Sequence, residues 1–129
     1  MEITISVTID LKFDDEKLTG VLSIMDGADY WAKLRYDRAD YTDAKAHIEY
    51  TDYDDSPCFE EVLLQLLKDR KALQVLDYLD GVTYDLTLES LLTGIRLYAQ
   101  NVDIDYDNWD IISGDYILQY AVFGEPIYG

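Results

Sequence analysis

The chain has 129 residues, with 27 Asp and Glu against 10 Lys and Arg, and a formal net charge of -17 at pH 7. That excess argues against direct binding of nucleic acid, which needs a basic face, and against docking on anionic membranes. A hydrophobic content of 49% separates the chain from a wholly disordered acidic tail. The length suits a single domain over residues 1–129 with a real core. One Cys excludes an internal disulfide framework and a Cys-rich zinc site. Met1-Glu2-Ile3-Thr4 lacks the basic start of a secretion signal, and no apolar run approaches the ~20 residues of a membrane span. The expectation is a soluble, cytoplasmic, acidic domain.

In chain order, Ile3, Ile5, Val7, Ile9, Leu11 and Phe13 alternate with polar residues, the period of a half-buried strand. Asp14-Asp15-Glu16 suits a helix N-terminus. Leu18, Val21, Leu22 and Met25 then follow at helical spacing, which predicts a helix over 15–26 that Gly27 stops. Residues 30–36 and 44–50 read as strands, with 37–43 as a turn between them. Ser56-Pro57 predicts a helix start. Phe59, Val62, Leu63, Leu66 and Leu67 give that helix its apolar stripe, and it ends near residues 68–70. A strand around Leu73 and Val75, the Asp80-Gly81 turn and the alternating Val82, Tyr84 and Leu86 make a hairpin. Thr87 opens a further helix that presents Leu88, Leu91, Leu92, Ile95 and Tyr98, with Asn101 at its end. Ser113 or Asp115 opens a last helix, which Gly124 and Pro126 terminate. Strands and helices alternate irregularly, without repeats or linkers. The pattern predicts an α+β domain: an antiparallel sheet of about four to six strands with three or four helices packed on it.

Candidate chemistry is sparse. Asp103-x-Asp105-x-Asp107 starts like a calcium loop, but Asn108 and Gly114 stand where that loop needs Gly and a bidentate Glu. Cys58 sits near a helix N-terminus, which would lower its pKa, and His47 is a formal partner, yet no nucleophile signature surrounds them. No phosphate loop or nucleophile elbow is present. The reading is therefore non-enzymatic, with no catalytic residue, no metal ligand and no cofactor.

What stands out is the distribution of acids among aromatic residues. Asp and Tyr adjoin repeatedly, as in Asp29-Tyr30-Trp31, Asp52-Tyr53-Asp54 and Asp105-Tyr106-Asp107. If residues 103–107 are extended, Asp103, Asp105 and Asp107 share one face. Short Asp side chains hold charge close to the backbone and can imitate the spaced charge of a nucleic acid. The partner-binding candidates are Asp52, Tyr53, Asp54 and Asp55 in one cluster and Asp103, Asp105, Tyr106, Asp107, Trp109 and Asp110 in the other. The acids supply long-range attraction, and the aromatic side chains supply desolvated anchors.

The segments Tyr84-Asp85-Leu86-Thr87-Leu88-Glu89-Ser90-Leu91-Leu92-Thr93-Gly94-Ile95-Arg96-Leu97-Tyr98 and Asp115-Tyr116-Ile117-Leu118-Gln119-Tyr120-Ala121-Val122-Phe123-Gly124-Glu125, with Tyr30-Trp31, resemble a group of small acidic phage and mobile-element proteins of unassigned activity. By size and charge the chain also resembles phage-encoded inhibitors of host defence, of anti-CRISPR or anti-restriction type. That resemblance implies a partner: a basic, nucleic-acid-binding defence effector in the bacterial cytoplasm. Two alternatives are an accessory module acting through an apolar or sheet-edge interface, and a metal or small-molecule binder.

Overall fold

A computed structural model describes residues 1–6, 8–48 and 56–129. It is an α+β domain with a three-stranded antiparallel sheet and five α-helices among those residues. The sheet is smaller than expected, and the helices are more numerous.

Helix α1 spans Asp15–Ile24 and buries Leu18, Val21 and Leu22. Asp14 caps it, accepting from the Lys17 amide at 2.9 Å. A 3-10 turn over Met25–Ala28 carries the chain past Gly27 into strand β1, Ala32–Arg35. Helix α2, Arg38–His47, replaces the expected turn and strand over 37–47. Asp37 is its cap, accepting from the Asp40 amide at 3.0 Å. Ala39, Ala44, Lys45 and Ala46 favour helix, and only Ala44 is buried. Residues 49 and 50, the end of the strand expected over 44–50, lie outside the described residues.

Helix α3, Phe59–Lys68, begins two residues later than Ser56-Pro57 suggested, with Cys58 at the cap position. Its far end is a Schellman motif. The Arg70 amide bonds the Leu67 carbonyl at 3.1 Å and the Lys71 amide bonds the Leu66 carbonyl at 3.2 Å. Arg70 takes the left-handed position with φ 64°, the one non-glycine residue there among the described residues. Glycine is usual at that point, and a side chain costs about 1 kcal/mol.

Strands β2 (Leu73–Asp77) and β3 (Thr83–Leu86) form the expected hairpin, turning through Gly81 at φ 75°. β2 is central, with Leu34 opposite Val75 on one side and Leu73 opposite Leu86 on the other. Helix α4, Leu88–Asn101, opens on a Thr87–Ser90 capping box. Helix α5, Ile111–Phe123, starts before the expected Ser113 or Asp115 and ends at Gly124, whose φ is 77°. α5 is the centre of the domain, packed against α4, α1 and the 3-10 turn. Its Gly114 lies so near α1 that a Cβ there would fall 2.0 Å from the Ile24 carbonyl oxygen.

The N-terminal alternation does not form a strand. Residues 1–6 and 8–14 join no sheet, and Ile3, Ile5 and Ile9 stay 71%, 79% and 65% exposed. Alternation makes a segment able to pair, but a strand also needs a neighbouring strand, and among the described residues none pairs with this one. Phe13 packs on the core, stacked on Trp109 and edge-on to Tyr106. Among the described residues no helix is long and apolar enough to cross a membrane.

Candidate acidic interface

The acidic stretch 103–110 is a folded loop and not an extended row. The Asp103 carboxylate accepts from the Asp105 amide at 2.9 Å, and Asp105 accepts from the Asp107 amide at 3.0 Å. These successive Asx turns lead into a 3-10 turn over Tyr106–Asn108. Asp103, Asp105 and Asp107 therefore do not alternate along one strand face. Asp110 is the cap of α5, accepting from the Ile112 and Ser113 amides at 3.0 and 3.1 Å. Its position is dictated by the helix, although its side chain still reaches solvent.

Trp109 and Tyr106 are half-buried, with ring centroids 5.4 Å apart. Trp109 also packs edge-on against Tyr98 and donates its indole N–H to the Asp103 carbonyl at 2.9 Å. Both rings hold the loop and Phe13 together, so they are internal struts before they are anchors for a partner. Around Tyr106 the fold assembles acids from two distant parts of the chain. Partial burial, together with the charges of Glu16, Asp14 and Asp107, raises the Tyr106 phenol above its ordinary pKa. Asp14, Glu16, Asp105 and Asp107 are all exposed. Lys17 is the cation at this place, its ammonium 5.3 Å from the Tyr106 ring centroid. The sequence reading missed Asp14 and Glu16 as interface residues; the run 14–16 was legible only as a helix start. Asp52, Tyr53, Asp54 and Asp55 lie outside the described residues.

Three phenols pair with carboxylates that are not their sequence neighbours. Tyr30 donates to Asp115 at 2.7 Å, Tyr128 to Asp77 at 2.6 Å and Tyr84 to Asp80 at 2.9 Å. Asp115 is buried and also accepts from the Trp31 indole at 2.7 Å and the Gln119 amide at 2.9 Å. Gln119, fully buried, accepts from the Ile127 and Tyr128 amides and so fastens the C-terminal segment to α5. The phenols answer to these carboxylates. Tyr30 is pushed up to about 12 by partial desolvation and then by its bond to Asp115. Tyr128 is pushed up to about 12 by its bond to Asp77 first. Tyr30, Trp31, Asp115 and Gln119 thus form a structural network that ties the C-terminal segment to α5.

Among the described residues no catalytic arrangement gathers at Cys58 or His47. Partial desolvation, with the Glu61 and Glu60 charges, raises the Cys58 thiol, the reverse of the lowering expected at a helix N-terminus. His47 ends α2 instead of lying in a strand, and its Nδ1 is 2.7 Å from the Asp69 carboxylate. Among the described residues no group of three His, Cys, Asp or Glu side chains is placed to hold a metal ion. In the supposed calcium loop, one oxygen each of Asp103 and Asp105 is occupied by a backbone amide.

Comparison with protein-family models, with curated proteins and with solved structures yields no match to this chain.

Proposed function

We propose that this chain is a non-enzymatic acidic binding protein of a phage or mobile element, docking on a basic nucleic-acid-binding surface of a host defence protein such as a CRISPR effector or a restriction enzyme. The observation that carries the reading is the convergence of Asp14, Glu16 and Asp107 around Tyr106, from segments some ninety residues apart in a chain of net charge -17. Acids whose backbone is held in a folded loop and a helix start stay grouped, and a field of that sign steers a basic partner. The site of action is the cytoplasm of the host cell.

The test is inhibition of DNA cleavage by a panel of purified CRISPR effectors and restriction enzymes, read at low and high salt. The Glu16 and Asp107 carboxylates are exposed and accept no hydrogen bond among the described residues, so E16K with D107K changes charge without removing a cap. The expected result is salt-sensitive inhibition of at least one enzyme, weakened tenfold or more by E16K/D107K. The same charge change at Glu2 and Glu125 should weaken it far less. A panel in which nothing is inhibited, or equal inhibition by all three proteins, overturns the reading.

One observation favours a second reading. The alternating N-terminal segment exposes Ile3, Ile5 and Ile9 without a strand beside it, as an accessory module acting by strand addition would. In that case partner binding survives high salt and is lost on deletion of residues 1–6.

A further inference from the structure

The cations of this chain are scarce, and their placement is uneven. Four of its 10 Lys and Arg residues, Lys68, Arg70, Lys71 and Arg96, line one open groove of about 640 Å³ between the end of α3 and the first turns of α4. Leu67, Leu88 and Leu92 supply its apolar wall, and Leu92 is 44% exposed there. Glu89 is the one acid in the lining.

Lys68 is paired with Asp15. Arg70, Lys71 and Arg96 have no carboxylate within ion-pair distance among the described residues, in a protein where acids outnumber bases by more than two to one. Arg70 also occupies the left-handed position where glycine fits without strain, so its side chain is kept at a conformational cost. The groove size suits a small ligand. The positive end of the α4 dipole lies on its rim, and charges beyond about 8 Å are screened at physiological salt. The local cations therefore outweigh the distant acids for anything seated in the groove.

We propose that this groove binds a small organic anion, a phosphate or carboxylate group carried on an apolar body. Arg70, Lys71 and Arg96 hold the oxyanion, and Leu67, Leu88 and Leu92 cover the apolar part. Guanidinium groups from two elements give forked, charge-assisted hydrogen bonds to such a group. No aromatic side chain lines the groove, so the body of the ligand is aliphatic in character and is not a stacked base.

The test is titration calorimetry of the full chain with four probes: hexyl phosphate, hexanoate, hexanol and inorganic phosphate. The expected result is binding of hexyl phosphate or hexanoate at least tenfold tighter than of either hexanol or inorganic phosphate. Whichever of the two anions binds tighter identifies the oxyanion. R96A and R70G should each weaken binding tenfold or more, about the loss of one charge-assisted hydrogen bond. K33Q, a cation outside the groove, should leave it unchanged. R70G carries a second readout, because a glycine at φ 64° relieves strain and should raise the melting temperature while affinity falls. A merely structural Arg70 would not separate the two. No binding of either amphiphilic anion, or binding insensitive to both R96A and R70G, overturns the assignment. Inorganic phosphate binding as tightly as hexyl phosphate refutes the apolar wall and with it the proposal.

Discussion

Replacing Asp115 tests how the core of this domain is held. Its Oδ1 accepts from the Trp31 indole at 2.7 Å and from Gln119 at 2.9 Å, and its Oδ2 accepts from Tyr30 at 2.7 Å. In D115A the three donors fare differently. Tyr30 is 49% exposed and turns to water. Gln119 keeps the Tyr128 carbonyl at 3.1 Å. Trp31 is fully buried and has no other acceptor among the described residues. The loss is then one stranded buried donor, about 1–3 kcal/mol, and the charge-assisted bonds themselves, about 1.5–3 kcal/mol. A total near 3–5 kcal/mol is a large share of the ~5–15 kcal/mol that stabilises a domain. D115N differs in one respect. Its carbonyl oxygen can still face Trp31 and Gln119, and its NH2 meets a Tyr30 hydroxyl free to rotate and accept. The expected cost is about 1 kcal/mol, for lost charge assistance alone. Urea unfolding followed by circular dichroism, with unchanged slopes, measures both. If D115A and D115N cost the same, or D115A costs under ~1 kcal/mol, the carboxylate is not the support described.

Three further outcomes follow from the structure. Tyr30 and Tyr128 are held up to about 12, against ~10 for a free phenol. The folded chain thus keeps protons that the unfolded chain has lost, so stability is level below about pH 9 and falls as pH rises through 12. Y30F and Y128F should each flatten that fall in urea midpoints taken at rising pH, and an unchanged slope would reject the cause. G114A sets a Cβ 2.0 Å from the Ile24 carbonyl oxygen, whereas G124A meets nothing within 4 Å and suffers only its φ of 77°. We expect G114A to cost about 3 kcal/mol or more and G124A about 1 kcal/mol, compared by thermal unfolding. Raising NaCl from about 10 mM to 300 mM should raise the melting temperature by screening the self-repulsion of -17 charges; a fall would show that attractive pairs dominate instead.

What was legible in the sequence is what is local. The Thr87 cap, the i, i+3, i+4 spacing that follows it and the Asp80-Gly81 turn specify α4 and the β2–β3 hairpin with partners a few residues away. The N-terminal alternation was just as clear, but a strand depends on a neighbour that no local pattern supplies. Residues 37–47 misled in the opposite way. They read as a turn over 37–43 and the start of a strand at Ala44, while the Asp37 cap, an equally local signal, made a helix. The Asp-x-Asp-x-Asp run carried its own correction, since Asp readily bonds an amide two residues on and so curls the chain that an extended reading would straighten. The site itself was only half legible. Asp105, Tyr106 and Asp107 are visible as a cluster, but Asp14 and Glu16 reach Tyr106 only through the packing of α1 beside the loop. Trp31 and Asp115 stand 84 residues apart, and nothing near either one announces the bond.

The way this fold treats its carboxylates explains how so much charge coexists with a compact core. With 10 cations for 27 acids, salt bridges cannot satisfy them, and the described residues contain two ion pairs, one of them to a His. The fold uses neutral donors instead. Backbone amides bond Asp14, Asp37, Asp103, Asp105 and Asp110 at helix starts and turns. Phenol, indole and amide groups bond Asp77, Asp80 and Asp115. A neutral donor fixes a carboxylate in space without cancelling its charge, whereas a Lys or Arg partner would do both. The abundance of Tyr thus acquires a structural reason, since a phenol joins an apolar body for the core to a donor for an acid. It also follows that the field of the protein is not dissipated locally. A surface of equal acid content laced with salt bridges would be nearly neutral a few ångströms out. Here the charge is held in place and left standing, which is the condition long-range attraction of a basic partner requires.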